Sequence, residues 1–286
     1  MTEPVERVIE HWREEHPDHS IEVFTTQAKL DAFNQAKAAG EYDVVISGGG
    51  DGTNNEVING LMRIPLDQRP GMAILPLGSG NDFARMLPKR TPIDLLERLA
   101  NDPKEQSVDV IEVKHNDHVR YALNMVTCGI GAEIAASVNR RKFSLPPAFN
   151  YYRAIIQWLL KYKAPEITLR WDRDEVRSKT LLTAFGNGTY AGNGLGLNPQ
   201  SSINDGRMGL TLIGNVGVID FIRYQSTLKA GRYVKDKRLR YEKTVKAELT
   251  VHSGQCAVES DGEEFSRLQE GEKIQITLLP KAIRII

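Results

Sequence analysis

Three stretches carry residues whose types and spacing could do chemistry, and the first is Gly48-Gly49-Gly50-Asp51-Gly52-Thr53-Asn54-Asn55-Glu56. It follows the apolar, β-branched run Val44-Val45-Ile46, which suits a buried parallel strand. Consecutive glycines bare backbone N–H groups, and a helix starting just beyond them adds the partial positive charge of its N-terminus. Together these form a cradle for phosphate oxygens. A tight turn that serves only packing is the other reading of a glycine run. Asp51 favours the cradle with a metal. A carboxylate amid anion-binding N–H groups repels phosphate unless a cation sits between them, so Asp51 implies magnesium bridging it to phosphate oxygens. No GxxxxGK[ST] pattern occurs at this loop, so it is not an ordinary P-loop. Asn55 and Glu56, expected to open the helix, could bond the nucleotide or act as caps.

The second stretch repeats the logic. Met72-Ala73-Ile74-Leu75-Pro76-Leu77 reads as another short strand, and Gly78-Ser79-Gly80-Asn81-Asp82-Phe83-Ala84-Arg85 as a polar glycine loop entering a helix. Two such units point to one nucleotide site, with phosphates held by residues 48–53 and 78–81. The third stretch lies far down the chain. Val258-Glu259-Ser260-Asp261-Gly262-Glu263-Glu264 is an apolar strand running into an acidic turn, where Asp-Gly signals a hairpin and the turn is also where a base could be carried. The glycine-dense segment Asn187 to Gly209 indicates close backbone approach or a loop that yields to a bulky substrate.

GGDGTxNE followed by LPLGSGNDFAR resembles the diacylglycerol kinase catalytic-domain family of lipid kinases, in its bacterial soluble branch, and the resemblance runs from about residue 26 to the C-terminus. It implies an ATP- and Mg2+-dependent transfer of the γ-phosphoryl group to a hydroxyl of diacylglycerol or a related lipid. By the same resemblance Thr26 lies near the nucleotide, although its surroundings depart from the family's Gly-His-Ala pattern. Asp261-Gly262-Glu263 matches the family's catalytic turn, which makes Glu263 the base for the lipid hydroxyl. Ser202, Asp205 and Arg207 match the positions that hold a second, structural or regulatory Mg2+. The family usually opens with a strand and an Asn-Pro-x-x-Gly loop, and this sequence begins at the following helix. Two alternatives stand beside the lipid kinase: an NAD kinase, which shares GGDGT, and a non-catalytic nucleotide- or lipid-binding homologue.

The elements that must position these residues follow from periodicity. Val5, Val8, Ile9 and Trp12 predict a helix ended by Pro17, Ile21 to Phe24 alternates like a strand, and Asp31 to Ala39 is a helix closed by Gly40. With the strand at Val44 to Ser47 this is α-β-α-β, so crossover helices and a parallel sheet are expected. Pro92 to Ala100 reads as a further helix. From Val108 onward strand-like runs dominate: Val108 to Val113, Val119 to Val126, Ile167 to Trp171, Thr180 to Phe185, Gly209 to Ile213, Lys246 to Val251 and Lys273 to Leu278. The expected fold is therefore α/β plus all-β. An α/β nucleotide-binding domain (1–107 plus 279–286) carries an antiparallel, β-sandwich-like lipid-substrate domain (108–278).

Composition narrows the partners. Lys plus Arg and Asp plus Glu are 37 each in 286 residues, which gives no argument for nucleic acid. Arg140, Arg141, Lys142, Arg153, Lys161 and Lys163 flank the apolar helix Ala148 to Leu160, expected between the domains. Arg223 to Lys246 forms a second basic run relieved only by Asp236 and Glu242. Both read either as solvated surface or as a face for anionic lipid headgroups at a membrane. Cys128 and Cys256 suit reduced, buried thiols, and His11, His16 and His19 suit solvated side chains. The acidic N-terminus and the lack of about 18 consecutive apolar residues fit a cytoplasmic protein with peripheral membrane contact. Oligomeric state is not encoded in these patterns, and a homodimer is one option.

Overall fold

The protein was analysed as a computed structural model that describes residues 3–139 and 147–286. Helix α1 (Glu3–Glu15) buries Val5, Ile9 and Trp12, as its spacing requires. Helix α2 (Asp31–Lys37), strand β1 (Val44–Gly49), helix α3 (Asp51–Leu61) and strand β2 (Gly71–Pro76) follow. A 3₁₀ turn (Phe83–Met86) and helix α4 (Pro92–Asn101) complete the first domain's leading half. Thr91 caps α4, its hydroxyl accepting the Asp94 N–H while Asp94 accepts the Thr91 N–H, with Pro92 at the first helical position.

The β-rich part begins with β3 (Gln106–His115), β4 (His118–Ala122) and β5 (Met125–Gly129), then α5 (Ile130–Asn139) and α6 (Pro147–Lys161). It continues through β6 (Glu166–Trp171), β7 (Asp174–Lys179), β8 (Leu182–Gly186), β9 (Tyr190–Ala191), β10 (Leu195–Gly196), β11 (Met208–Ile213) and α7 (Val218–Lys229). Strands β12 (Leu239–Thr244), β13 (Lys246–Ser253), β14 (Cys256–Ser260), β15 (Glu263–Leu268) and β16 (Lys273–Ile285) end the chain.

Two sheets face each other across a core that includes Ile111, Leu169, Trp171, Phe185, Leu210 and Leu249. One is antiparallel, in the order β12-β11-β8-β5-β14-β15; the other runs β1-β2-β16-β13-β6-β7, with β3 and β4 attached through β16. Strand β16 joins the two domains. It pairs antiparallel with β3 and β13, breaks register between Leu279 and Ile283, and then sets Ile285 parallel to Met72 of β2. The buried Asp109 holds that break by accepting N–H groups from Lys281 at 2.8 Å and Gly206 at 2.7 Å. Helices α2 and α3 cover one face of the β1-β2 pair, and α1 and α4 cover the other.

Four expectations are corrected. Ile21 to Phe24 is not a strand: Val23 and Phe24 are exposed, and β1 pairs only with β2 among the described residues, so no ladder receives that segment. Val119 to Val126 is two strands rather than one, because the N–H groups of Leu123, Asn124 and Met125 turn inward to the Asp261 carboxylate as the chain changes sheets. Helix α6 packs with α5 and α7 on the second domain rather than between the domains. His16 is half-buried, stacked on Trp12 and bonded to Glu97 at 3.0 Å, so it is not a solvated histidine. Cys128 and Cys256 are buried and free, as expected. Arg140, Arg141 and Lys142 lie outside the described residues.

Candidate active site

A cleft of about 380 Å³ opens where the two glycine loops of the first domain meet the β14–β15 hairpin of the second. Strand β1 runs through Gly49, Gly50 is the extended cap residue, and α3 begins at Asp51. Asp51 is thus the first helical residue and sits where the helix macrodipole favours negative charge. Asn55 and Glu56 lie in the second turn and do not open the helix. The loops touch: Leu77 and Gly78 donate their N–H groups to Gly49, at 2.9 and 3.1 Å. A Cβ on Gly78 would lie 2.3 Å from the Gly50 Cα, so no other residue fits there without moving backbone.

Of the residues expected at the nucleotide, Gly50, Asp51, Gly52, Asn54, Gly78 and Ser79 line the cleft. Gly48, Gly49 and Thr53 support it from behind: a Cβ on Gly49 would collide with Thr53, so the strand end and the helix press together. Asn55 points away and donates to the Tyr121 carbonyl and to Asp261, both at 3.3 Å, tying α3 to the second domain. Glu56 accepts the Leu30 N–H at 3.0 Å and Asn81 folds back on the Gly78 carbonyl at 2.6 Å, so neither side chain faces the cleft. Thr26 is exposed and does not line it.

The hairpin delivers the carboxylates. Asp261 and Gly262 adopt positive φ (50° and 86°), the turn that Asp-Gly favours. Asp261 is fully engaged by the Leu123, Asn124 and Met125 N–H groups, which makes it a structural anchor. Glu263, the first residue of β15, reaches the start of α3: a Cβ on Gly52 would lie 3.6 Å from its Oε1. Lys29 meets its Oε2 at 3.1 Å, so residues around Thr26 are drawn to the cleft mouth.

Two acidic residues that motif reading left without a role also belong here. Asp82 accepts the N–H groups of Asn193 and Gly194, at 2.9 and 2.7 Å, clamping the glycine-dense loop to the first domain. Glu259 lines the cleft from β14. Its burial pushes its pKa from 4.5 to about 7, with the Asp261 charge adding to the rise. Its position on an apolar strand two residues before Asp-Gly hid it in the sequence. A raised carboxyl pKa gives stability that is full below the unfolded value and lost as pH rises through the folded one. Glu259→Gln is therefore expected to remove part of the loss between pH 4.5 and 7, leaving the variant roughly 2–3 kcal/mol more stable than the parent at pH 8. Urea unfolding at pH 5 and pH 8 reads this directly; equal pH slopes would contradict it.

Electrostatics point to a cation at Asp51. Burial and the charges of Asp82 and Asp261 push its pKa up to about 6, although the Asp82 N–H donates to it at 3.0 Å. A buried carboxylate beside two others is relieved by a divalent cation with oxygen ligands, so the donor set fits magnesium. Unpaired buried atoms also suit a polar ligand: among the described residues Asn54 Nδ2 and Asn124 Oδ1, both on cleft-lining residues, have no partner. The expected second metal site lies on a different turn of the chain, residues 202–207. Ser202, Asp205 and Arg207 do share one turn, but the Lys243 ammonium binds the Asp205 carboxylate and Ser202 donates to Asn204 at 3.2 Å.

A glycine-loop cradle, a metal-ready carboxylate and an acidic turn facing both across a domain cleft define a kinase-type phosphotransferase site. Residues 2–113 match the diacylglycerol kinase catalytic domain, and residues 124–286 match the YegS C-terminal NAD kinase beta sandwich-like domain. The chain belongs to the diacylglycerol kinase catalytic-domain family, in its bacterial lipid kinase branch. It is 27% identical over 266 residues to a diacylglycerol kinase of Bacillus subtilis, covering 92% of this chain and 85% of the relative. It is 31% identical over 209 residues to a probable lipid kinase YegS-like of Yersinia enterocolitica, covering 73% and 70%. The fold is similar to a diacylglycerol kinase structure from Bacillus anthracis (TM-score 0.65, 21% identity, 92% and 83% covered). It is also similar to an NAD kinase from Archaeoglobus fulgidus in complex with ATP (TM-score 0.55, 16% identity, 98% and 87% covered).

Proposed function

We propose that the cleft transfers the γ-phosphoryl group of ATP to a hydroxyl of diacylglycerol or a related lipid. The observation that carries this reading is the approach of Glu263 to the N-terminus of α3, which puts a proton acceptor beside the phosphate cradle. The α3 N-terminus and the Gly78–Gly80 backbone bind and orient the triphosphate, and the free Asn54 Nδ2 supplies a further donor. Magnesium, held by Asp51, would neutralise charge on the phosphates when bound. Glu263 accepts the proton of the attacking hydroxyl. Leu123, Met125, Val138 and Leu197 give the cleft an apolar wall that excludes water and suits an acyl chain better than a dinucleotide. The relatives' names as diacylglycerol and lipid kinases support the same acceptor.

The surface supports approach to a membrane. Among the described residues no helix is long and apolar enough to cross a bilayer. Phe149, Ile156 and Leu160 of α6 and Ile219 and Ile222 of α7 are nevertheless exposed, with Arg153 and Lys161 among them. The second basic run contributes less than its sequence suggests. Arg238 is held by Asp220 and Asp236, Arg240 by Glu242, and Lys243 by Asp205. The proposed membrane face is therefore the α6–α7 edge.

The test offers labelled ATP and magnesium with diacylglycerol, monoacylglycerol, phosphatidylglycerol and sphingoid base, each in neutral and anionic vesicles, and with NAD. Label in one lipid, faster on anionic vesicles, is the expected result. Label in NAD alone would replace the reading with NAD phosphorylation.

A further inference from the structure

A second cavity, about 630 Å³, shares Ser79 and Gly80 with the cleft and lies between the second glycine loop, α4 and the chain's last residues. Its apolar side is formed by Ile74, Leu87, Leu95 and Ile285, and its polar side carries Lys89, Arg90 and Arg98. Among the described residues, none of these three cations makes an ion pair, and the buried Nε of Arg98 has no partner. The acid that also lines the cavity, Glu105, is held by Arg284 at 2.8 Å. Ile286 lines the cavity as well. Burial and the neighbouring Arg98 charge push the Arg90 pKa down. Two guanidiniums gathered in a half-buried recess without an ion-pair partner among the described residues are unfavourable in the empty protein and are relieved by a bound anion.

We propose that this cavity binds a phosphate-bearing ligand, its anionic head on Arg90 and Arg98 with Lys89 at the rim and its apolar part against Ile74, Leu87 and Leu95. Arginine forks match phosphate oxygens in pairs, and a cavity half cationic and half apolar fits a short lipid phosphate better than a sugar phosphate. The site adjoins the Asp51–Glu263 cleft at Ser79 and Gly80, but none of its three cations lines that cleft, so it stands whether or not the cleft transfers phosphate.

The experiment is calorimetric titration of the full chain, with and without saturating ADP and magnesium, using dioctanoyl phosphatidate, dioctanoylglycerol and inorganic phosphate. Phosphatidate is expected to bind the parent in both conditions and to bind the Arg90→Gln/Arg98→Gln variant at least tenfold more weakly, with ADP binding unchanged. Lys89→Glu, at an exposed position, is expected to weaken it severalfold. Phosphate binding that shows the same sensitivity while phosphatidate fails would assign the site to free phosphate. Binding of both probes by the variants as tightly as by the parent, or by the parent not at all, would overturn the proposal.

Discussion

Glu263→Gln is expected to fold, to bind ATP with nearly the parent's affinity, and to turn over lipid roughly a hundredfold or more slowly. The side chain is about a third exposed at the head of β15, so exchanging a carboxylate for an amide there removes no buried contact. The contact that it does lose is with Lys29, itself exposed, and exposed pairs contribute little to stability. What the amide cannot do is accept a proton at the approach to the phosphate cradle, and removal of a positioned base costs 10²–10⁴ in rate. Steady-state assays with diacylglycerol in mixed micelles decide the matter. A fall in kcat with unchanged affinity for ATP is the expected pattern, whereas unchanged turnover would remove Glu263 from the chemistry and direct attention to Glu259 on the preceding strand.

The second large effect is at Asp51, and it appears without any substrate. Its pKa, raised from 3.8 to about 6, means that the protein without a cation loses stability as pH rises through that interval. Asp51→Asn removes the charge while leaving an oxygen to accept the Asp82 N–H. The variant is therefore expected to be roughly 2–3 kcal/mol more stable than the parent at pH 8 in the absence of divalent ions. Adding magnesium and ADP stabilises whichever protein binds them, by mass action. The parent should respond strongly to magnesium and the variant only weakly. Thermal melts at pH 8 across a magnesium series measure both quantities, and matching magnesium responses would show that Asp51 holds no metal.

Local features of the site could be read from the chain because each rests on neighbours in sequence. The glycine loop between β1 and α3 needs small residues and a following helix, and the Asp-Gly turn at 261–262 follows from two residues that tolerate positive φ. Long-range partners could not be read. Asp261 reads locally as a turn residue, yet its carboxylate accepts the Leu123, Asn124 and Met125 N–H groups, and the same bonds explain why one apparent strand is two. The run from Arg223 to Lys246 looked strongly basic because three of its acidic partners, Asp174, Asp205 and Asp220, sit outside it or before it. Ile21 to Phe24 alternates correctly, but alternation specifies a strand only when an adjacent ladder receives it. Glu259 gave no local signal at all, since its raised pKa comes from burial.

Lipid kinase activity is read by formation of labelled phosphatidate from γ-labelled ATP and dioctanoylglycerol, followed with magnesium present and chelated, in the parent and in Glu263→Gln. The parent is expected to form labelled phosphatidate in a magnesium-dependent way, and the variant roughly a hundredfold less of it. ATP binding with no label transferred to diacylglycerol or any other lipid hydroxyl would contradict it and leave a nucleotide-binding protein without kinase activity.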